Sequence, residues 1–218
     1  MEDLNNMTAL TAKKIYDLNN MNAAAQRAQL GTLLMGGAVV PTVGTLSTVN
    51  TLRYNTTPAV ASATGTKAAF TLLVGAQPGI TAGITQPDVP RTMTVKGNDG
   101  NVAGNVVIHG TNFAGATVSD TIIASGTSEV EGLVAFKTVT SIDFPAYAVA
   151  GTETISIGRG ASIGFPSIIN NTADVITHDF NGATDAGTVV ADATLGKSVY
   201  TVAGTMDGTK VLSLTYVA

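Results

Sequence analysis

His109 and His178 are the two side chains that titrate near neutrality, and they could serve as acid–base groups or metal ligands. His178 stands beside Asp179 and follows Asp174, the nearest thing to a ligand cluster in the chain. A zinc site takes three or four nitrogen, sulfur or carboxylate donors, so both histidines read as strand-edge or interface residues, with no metal expected. Asp120, Glu129 and Glu131 form a second set around strand-like sequence. Two carboxylates about 5 Å apart, or about 6.5–9.5 Å apart, can hydrolyse a glycoside. Carbohydrate sites lean on aromatic platforms, however. With no Trp and 5 % aromatic residues, these acids read as solvated surface groups.

The stretch "GRGASIG" at 158–164 follows strand-like "TISI" and evokes a nucleotide loop. It meets neither the Gly-x-Gly-x-x-Gly nor the P-loop lysine pattern, and the "FPSIINN" after it is not helical. It reads as a connection between strands in which Arg159 pairs with a neighbour. No Ser-His-Asp arrangement with a nucleophile elbow occurs, and without Cys there is no thiolate or disulfide. The expectation is a protein that is not an enzyme, with no catalytic residue, no cofactor and no small-molecule substrate.

The elements that carry these residues are mostly β. Candidate strands run at 67–74, 91–97, 104–110, 116–126, 133–144, 152–158, 173–180, 187–193, 197–204 and 210–217. Alternation in "VSDTIIAS" and "KVLSLTYV", with turn signals at Asn98-Asp99-Gly100 and Asp207-Gly208, is an antiparallel hairpin signature. A Phe-x-Gly-Ala-Thr core occurs twice, at Phe113–Thr117 and Phe180–Thr184. It reads as recurrent turn chemistry, or alternatively as the mark of two related β lobes.

Ahead of the strands, residues 8–35 carry the helical signal, with Ile15, Leu18, Met21, Ala25, Leu30, Leu33 and Leu34 approximating an apolar stripe. Residues 37–66 hold Arg53 and Tyr54 in a run with little charge and no sustained period. Such a run is too long for a loop of a compact domain and too apolar for a solvated linker, so it reads as an extended arm lying on another subunit, or alternatively as short strands of the home domain. The expected organisation is a helical segment at 1–36, an apolar arm at 37–66, a β domain at 67–165, and a C-terminal lobe or completion of the same fold at 166–218. The fold class is mainly β, an antiparallel β-sandwich of one or two immunoglobulin-like or jelly-roll-like lobes.

Composition narrows the partners. Charged residues are 12 % of the chain against about 25 % in average soluble proteins, a poor surface for a freely diffusing monomer. Self-association is therefore expected. A net charge of −4, without a Lys/Arg cluster, argues against nucleic acid. The start "MEDLNNMTAL" lacks a basic leader, and no apolar run approaches the ~20 residues that span a bilayer, so synthesis in the cytoplasm and no membrane partner are expected.

Residues 86–145 resemble a module of tailed-bacteriophage structural proteins. The likeness is carried by Pro-Asp-Val-Pro-Arg at 87–91, "VVIHGTN" at 106–112, "SDTI" at 119–122 and "VEGLVAFKTVTSIDFP" at 130–145. "DGTKVLSLTYVA" at the C-terminus is similar to the final strand of such proteins. The resemblance implies a virion component, a capsid decoration (cement) or head-fibre type protein with β-sandwich domains and trimeric assembly. It also implies attachment to the major capsid protein through the N-terminal region, here by Ile15, Leu18, Leu30, Leu33 and Leu34, with Arg53 and Tyr54 anchoring the arm. Location on the capsid surface follows from that reading. Two others stay open: a tail-tube, tail-tip or adhesin component, and a secreted carbohydrate-active β protein.

Overall fold

The computed structural model describes residues 51–77, 79–147 and 152–217. The chain divides into Met1–Val49 and Asn50–Ala218. The helical segment at 1–36, with Ile15, Leu18, Leu30, Leu33 and Leu34, lies outside the described residues, as does the first part of the 37–66 segment.

Within the second unit the chain is mainly β. Its strands are β1 (Thr51–Thr56), β2 (Ser62–Thr71), β3 (Arg91–Gly97), β4 (Ala103–Thr111), β5 (Thr117–Ser125), β6 (Val130–Phe136) and β7 (Thr138–Asp143). They continue as β8 (Thr154–Gly164), β9 (Val175–Phe180), β10 (Ala183–Thr184), β11 (Thr188–Val190), β12 (Val199–Thr201) and β13 (Leu212–Val217). These pair antiparallel in three sheets: β1-β13-β9-β10, β11-β12-β8-β3-β6, and β5-β4-β7.

β8 organises the unit. One of its edges pairs with β3. The other is shared, β2 taking Thr154 to Arg159 and β12 taking Ser162 to Gly164. Most of its residues are buried, which is why its sequence, "TISIGRGASIG", lacks the alternation of a half-exposed strand. Its first half supplies Ile155 and Ile157 to a core with Met93, Val95, Ile108, Ile122 and Ile142. Its second half supplies Ile163 to another core with Phe180, Tyr200, Leu212, Leu214 and Tyr216. A single strand thus runs through both cores.

Several expectations are corrected. Residues 51–66 of the supposed arm belong to the unit itself as two strands and their connection: β1 pairs throughout with the C-terminal strand, from Thr51↔Val217 to Thr56↔Leu212, and β2 pairs with β8. The apolar run looked structureless because β1 is an edge strand with mixed exposure, which leaves no period to read. "GRGASIG" is no connection but the interior of β8. The single strand expected at 133–144 breaks at Lys137, where the chain leaves the β3–β6 sheet and enters the β4–β7 sheet. Neither Asn98-Asp99-Gly100 nor Asp207-Gly208 closes a hairpin, because β3 and β4, and likewise β12 and β13, lie in different sheets. Both are corners built on an aspartate: Asp99 Oδ1 accepts from the Asn101 N–H (2.9 Å), and Asp207 Oδ1 accepts from the N–H groups of Thr209 and Lys210 (2.9 Å each).

Both Phe-x-Gly-Ala-Thr segments do form hairpins. Asn181 and Gly182 (φ 54° and 81°) make a two-residue turn between β9 and β10, with Phe180 opposite Ala183. The β4–β5 loop is longer, closing at Thr111↔Thr117 with Gly115 at φ 82°. The common residues serve different turns, which supports the turn-chemistry reading.

Candidate functional site

The chemistry-bearing residues of the 86–145 segment converge on the seams between strands. Arg91 opens β3 with its side chain fully buried. Its Nε donates to the Gly160 carbonyl (2.9 Å), as does Nη2, while Nη1 donates to the Ala59 carbonyl and to Asp88 Oδ1 (3.0 Å each). Asp88 Oδ2 in turn accepts from the Ala59 N–H at 2.6 Å. Pro87 and Pro90 limit the backbone between them. The Asp88–Arg91 pair therefore clamps the β1–β2 connection onto β8. Burial alone would raise the Asp88 carboxyl, but the Ala59 N–H and the Arg91 guanidinium more than offset it and hold it below the usual carboxylate range.

Asp120 on β5 braces a bulge. Gly132, Leu133 and Val134 of β6 stand opposite the single residue Met93, which takes the Leu133 and Val134 amides out of the ladder with β3. Asp120 Oδ2 accepts from both, at 2.7 and 3.0 Å. A Cβ at Gly132 would overlap that carboxylate, so a side chain there would push Asp120 off the bulge. Glu131 Oε1 accepts from the Thr92 hydroxyl and from the Ser162 N–H (3.1 Å), and Glu129 Oε1 accepts from the Thr94 hydroxyl (2.7 Å). Gly158 and Gly160 of β8 leave the space these threonines and Glu131 fill, which is the reason for the glycines of "GRGASIG". Asn112 Oδ1 accepts from the Ala116 N–H (3.0 Å) and shapes the β4–β5 loop.

The second core has its own brace. Asp185 Oδ2 accepts from the Tyr200 hydroxyl (2.7 Å) and the Ala203 N–H (2.9 Å), and Oδ1 accepts from the Gly204 N–H (3.1 Å). The Tyr200 proton is committed to Asp185, so His178 Nδ1, 3.2 Å from the Tyr200 oxygen, carries a hydrogen and donates. Burial and the Asp185 carboxylate push the Tyr200 hydroxyl up. Asp185 is held down, the hydrogen bonds from Ala203, Tyr200, Gly204 and Gly187 outweighing burial.

These shifts set an acid limit. Asp88 and Asp185 are depressed in the folded state, so their contribution is fully present above about pH 4, the unfolded carboxylate value, and is lost as pH falls through the folded values. The urea midpoint is expected to be flat from pH 7 to about 5 and to fall below about 4. Asp185→Asn should lower the midpoint at neutral pH and flatten its acid slope. A midpoint as high below about pH 4 as at neutral pH would contradict this bracing.

The residues singled out in the sequence are scattered over these seams. His109 Nε2 pairs with Asp143 Oδ2 at 3.0 Å on the surface, in a different sheet from His178. Asp174 closes a short capping turn with Asn171, and Asp179 contacts Thr184. Among the described residues no three His, Cys, Asp or Glu side chains gather in metal-binding geometry. Glu129 and Glu131 share an open cleft of about 300 Å³ with Thr94 and Arg159, and Asp120 is not among its lining residues. Arg159 Nη1 approaches Asp88 Oδ1 at 3.8 Å. Arg53 donates from Nε to Ser213 Oγ (2.9 Å), and Tyr54 packs edge-on against Phe113 with centroids 5.9 Å apart. Both engage their own unit. The Asp88–Arg91 clamp and the Asp185–Tyr200 brace were missed, although a single Arg entering a strand of Thr, Met and Val was a visible anomaly. No protein-family model, curated protein or solved structure matches this chain.

Proposed function

We propose that this chain is a non-enzymatic structural component of a tailed-phage virion, which binds and stabilises the capsid exterior through its N-terminal region while the β unit projects and self-associates as a homotrimer. The observation that carries the reading is how the acids are engaged. Asp88, Asp120, Glu131 and Asp185 all accept backbone N–H groups from other strands or loops, so these acids, the first three within the resembling segment, serve cohesion. That is what an unreactive scaffold with 12 % charged residues needs. Each of the two cores gathers residues from two sheets, which supports two sandwich-like lobes sharing β8. Because residues 51–66 belong to the β unit, attachment falls to the segment before residue 50.

Replacing Leu30, Leu33 and Leu34 together by Ser is expected to abolish particle binding while the β unit keeps its circular dichroism spectrum and melting temperature. Occupancy on purified particles, scored by densitometry, is the readout. Wild-type occupancy in a folded triple variant would overturn the assignment.

A further inference from the structure

A second feature of the unit concerns how copies meet. After β2 the chain makes a tight turn at Leu73–Gln77 whose leading side chains face solvent, Leu73 being 54 % and Val74 60 % exposed. The turn is held rigid from inside. Gln77 Oε1 accepts from the Leu73 N–H (2.8 Å), and Nε2 donates to the carbonyls of Leu73 and Gly75. Gly75 exchanges two backbone hydrogen bonds with Tyr147, at 2.7 and 3.0 Å, using a φ of 88° that only glycine adopts freely. From Ala68 to Pro87 the sequence carries no charge. Two apolar side chains are thus displayed on a preorganised backbone, which loses little freedom on docking.

At the other end of β8 lies an open cleft of about 540 Å³, walled by Pro166, Ile168, Ala193, Leu195 and Val217. Its one carboxylate, Asp174, already accepts from the Asn171 N–H at 2.9 Å. The turn adjoins the start of β8, where the Leu72 N–H meets the Glu153 carbonyl. The cleft follows its end at Gly164. The ten steps of about 3.3 Å along the 11 residues of β8 put the two roughly 33 Å apart, so the knob cannot fill the cleft of its own chain.

We propose that copies of this chain associate head to tail, the Leu73–Val74 turn of one copy seating in the Pro166–Leu195 cleft of the next. Knob and cleft are different surfaces, so the contact is either made twice, reciprocally, in a two-fold dimer or propagates head to tail until a ring closes, a trimer being the smallest such ring. Two such side chains remove roughly 200 Å² from water, against about 800 Å² per partner in a stable interface. One contact is therefore weak, and persistence depends on ring closure or on crowding at a shell. This inference deepens the self-association in the proposed function and rests on it.

The test uses the full chain, free of particles, in sedimentation velocity from micromolar to millimolar concentration, with Leu73→Asp/Val74→Asp as the knob variant and Ala193→Arg as the cleft variant. Melting temperature confirms that each is folded. The wild type is expected to associate with rising concentration, and each variant at least tenfold more weakly. Mixed in equal amounts, the variants should recover dimers, through their one intact knob and one intact cleft, and nothing larger. A wild type monomeric throughout, variants that associate normally, or a mixture no better than its components would overturn the proposal. So would sensitivity to the cleft variant alone, which would assign the cleft to Met1–Val49 or to a shell protein. Particle occupancy through Leu30, Leu33 and Leu34 is read separately, so failure here leaves attachment standing.

Discussion

Arg91→Ala is expected to cost about 4 kcal/mol of folding stability, a large part of the roughly 5–15 kcal/mol of a typical domain. The substitution leaves a cavity at a fully buried position, strips the Gly160 and Ala59 carbonyls of their donor, and leaves Asp88 with only the more distant Arg159 as counter-ion. Arg91→Lys should recover little. A single ammonium cannot reproduce the forked geometry that reaches Gly160, Ala59 and Asp88 at once. Urea denaturation of the three proteins measures this directly. A Lys variant within about 1 kcal/mol of wild type would mean that the site needs only a positive charge.

Gly110→Ala is expected to be comparably damaging, at about 3 kcal/mol or more, for a different reason. Gly110 sits where β4 and β7 slip register, and a Cβ there would overlap the Thr138 carbonyl and press on Phe136 at 2.9 Å. The obstacle is backbone, so no rotamer change relieves it. Gly100→Ala is the matched control. Nothing lies within 4 Å of its Cβ position, and its melting temperature should stay within a degree or two of wild type. Equal losses in the two variants would contradict the close β4–β7 approach.

The strands of the resembling segment were legible from their β-branched residues between turn signals, and in β5 the hydrophobic alternation also matches burial. The stretch expected at 91–97 is β3, and 116–126 holds β5 with Ile122 and Ala124 inward and Thr121 and Ile123 outward. Partners were not legible. Asn98-Asp99-Gly100 bends the chain as turn chemistry requires, but which sheet the next strand joins is decided by cores assembled from distant segments. β1 was misread for a related reason: its hydrogen bonds go to a strand at the far end of the chain, which leaves no local trace. The polar site was half visible. Asp120, Glu129 and Glu131 were noticed as acids, yet their acceptor roles depend on a β6 bulge and on glycines of β8 that only the fold brings beside them. Arg91 shows the same limit: its type and place could be read, its three acceptors could not.

Cross-linking mass spectrometry of the parent particle tests the assembly role most directly, because lysines are sparse and well separated. A cement role predicts links from Lys13 or Lys14 to the major capsid protein, with Lys67 and Lys210 linking only to other copies of this chain or to nothing. Particles that lack the chain, or capsid links confined to lysines of the β unit, would contradict it.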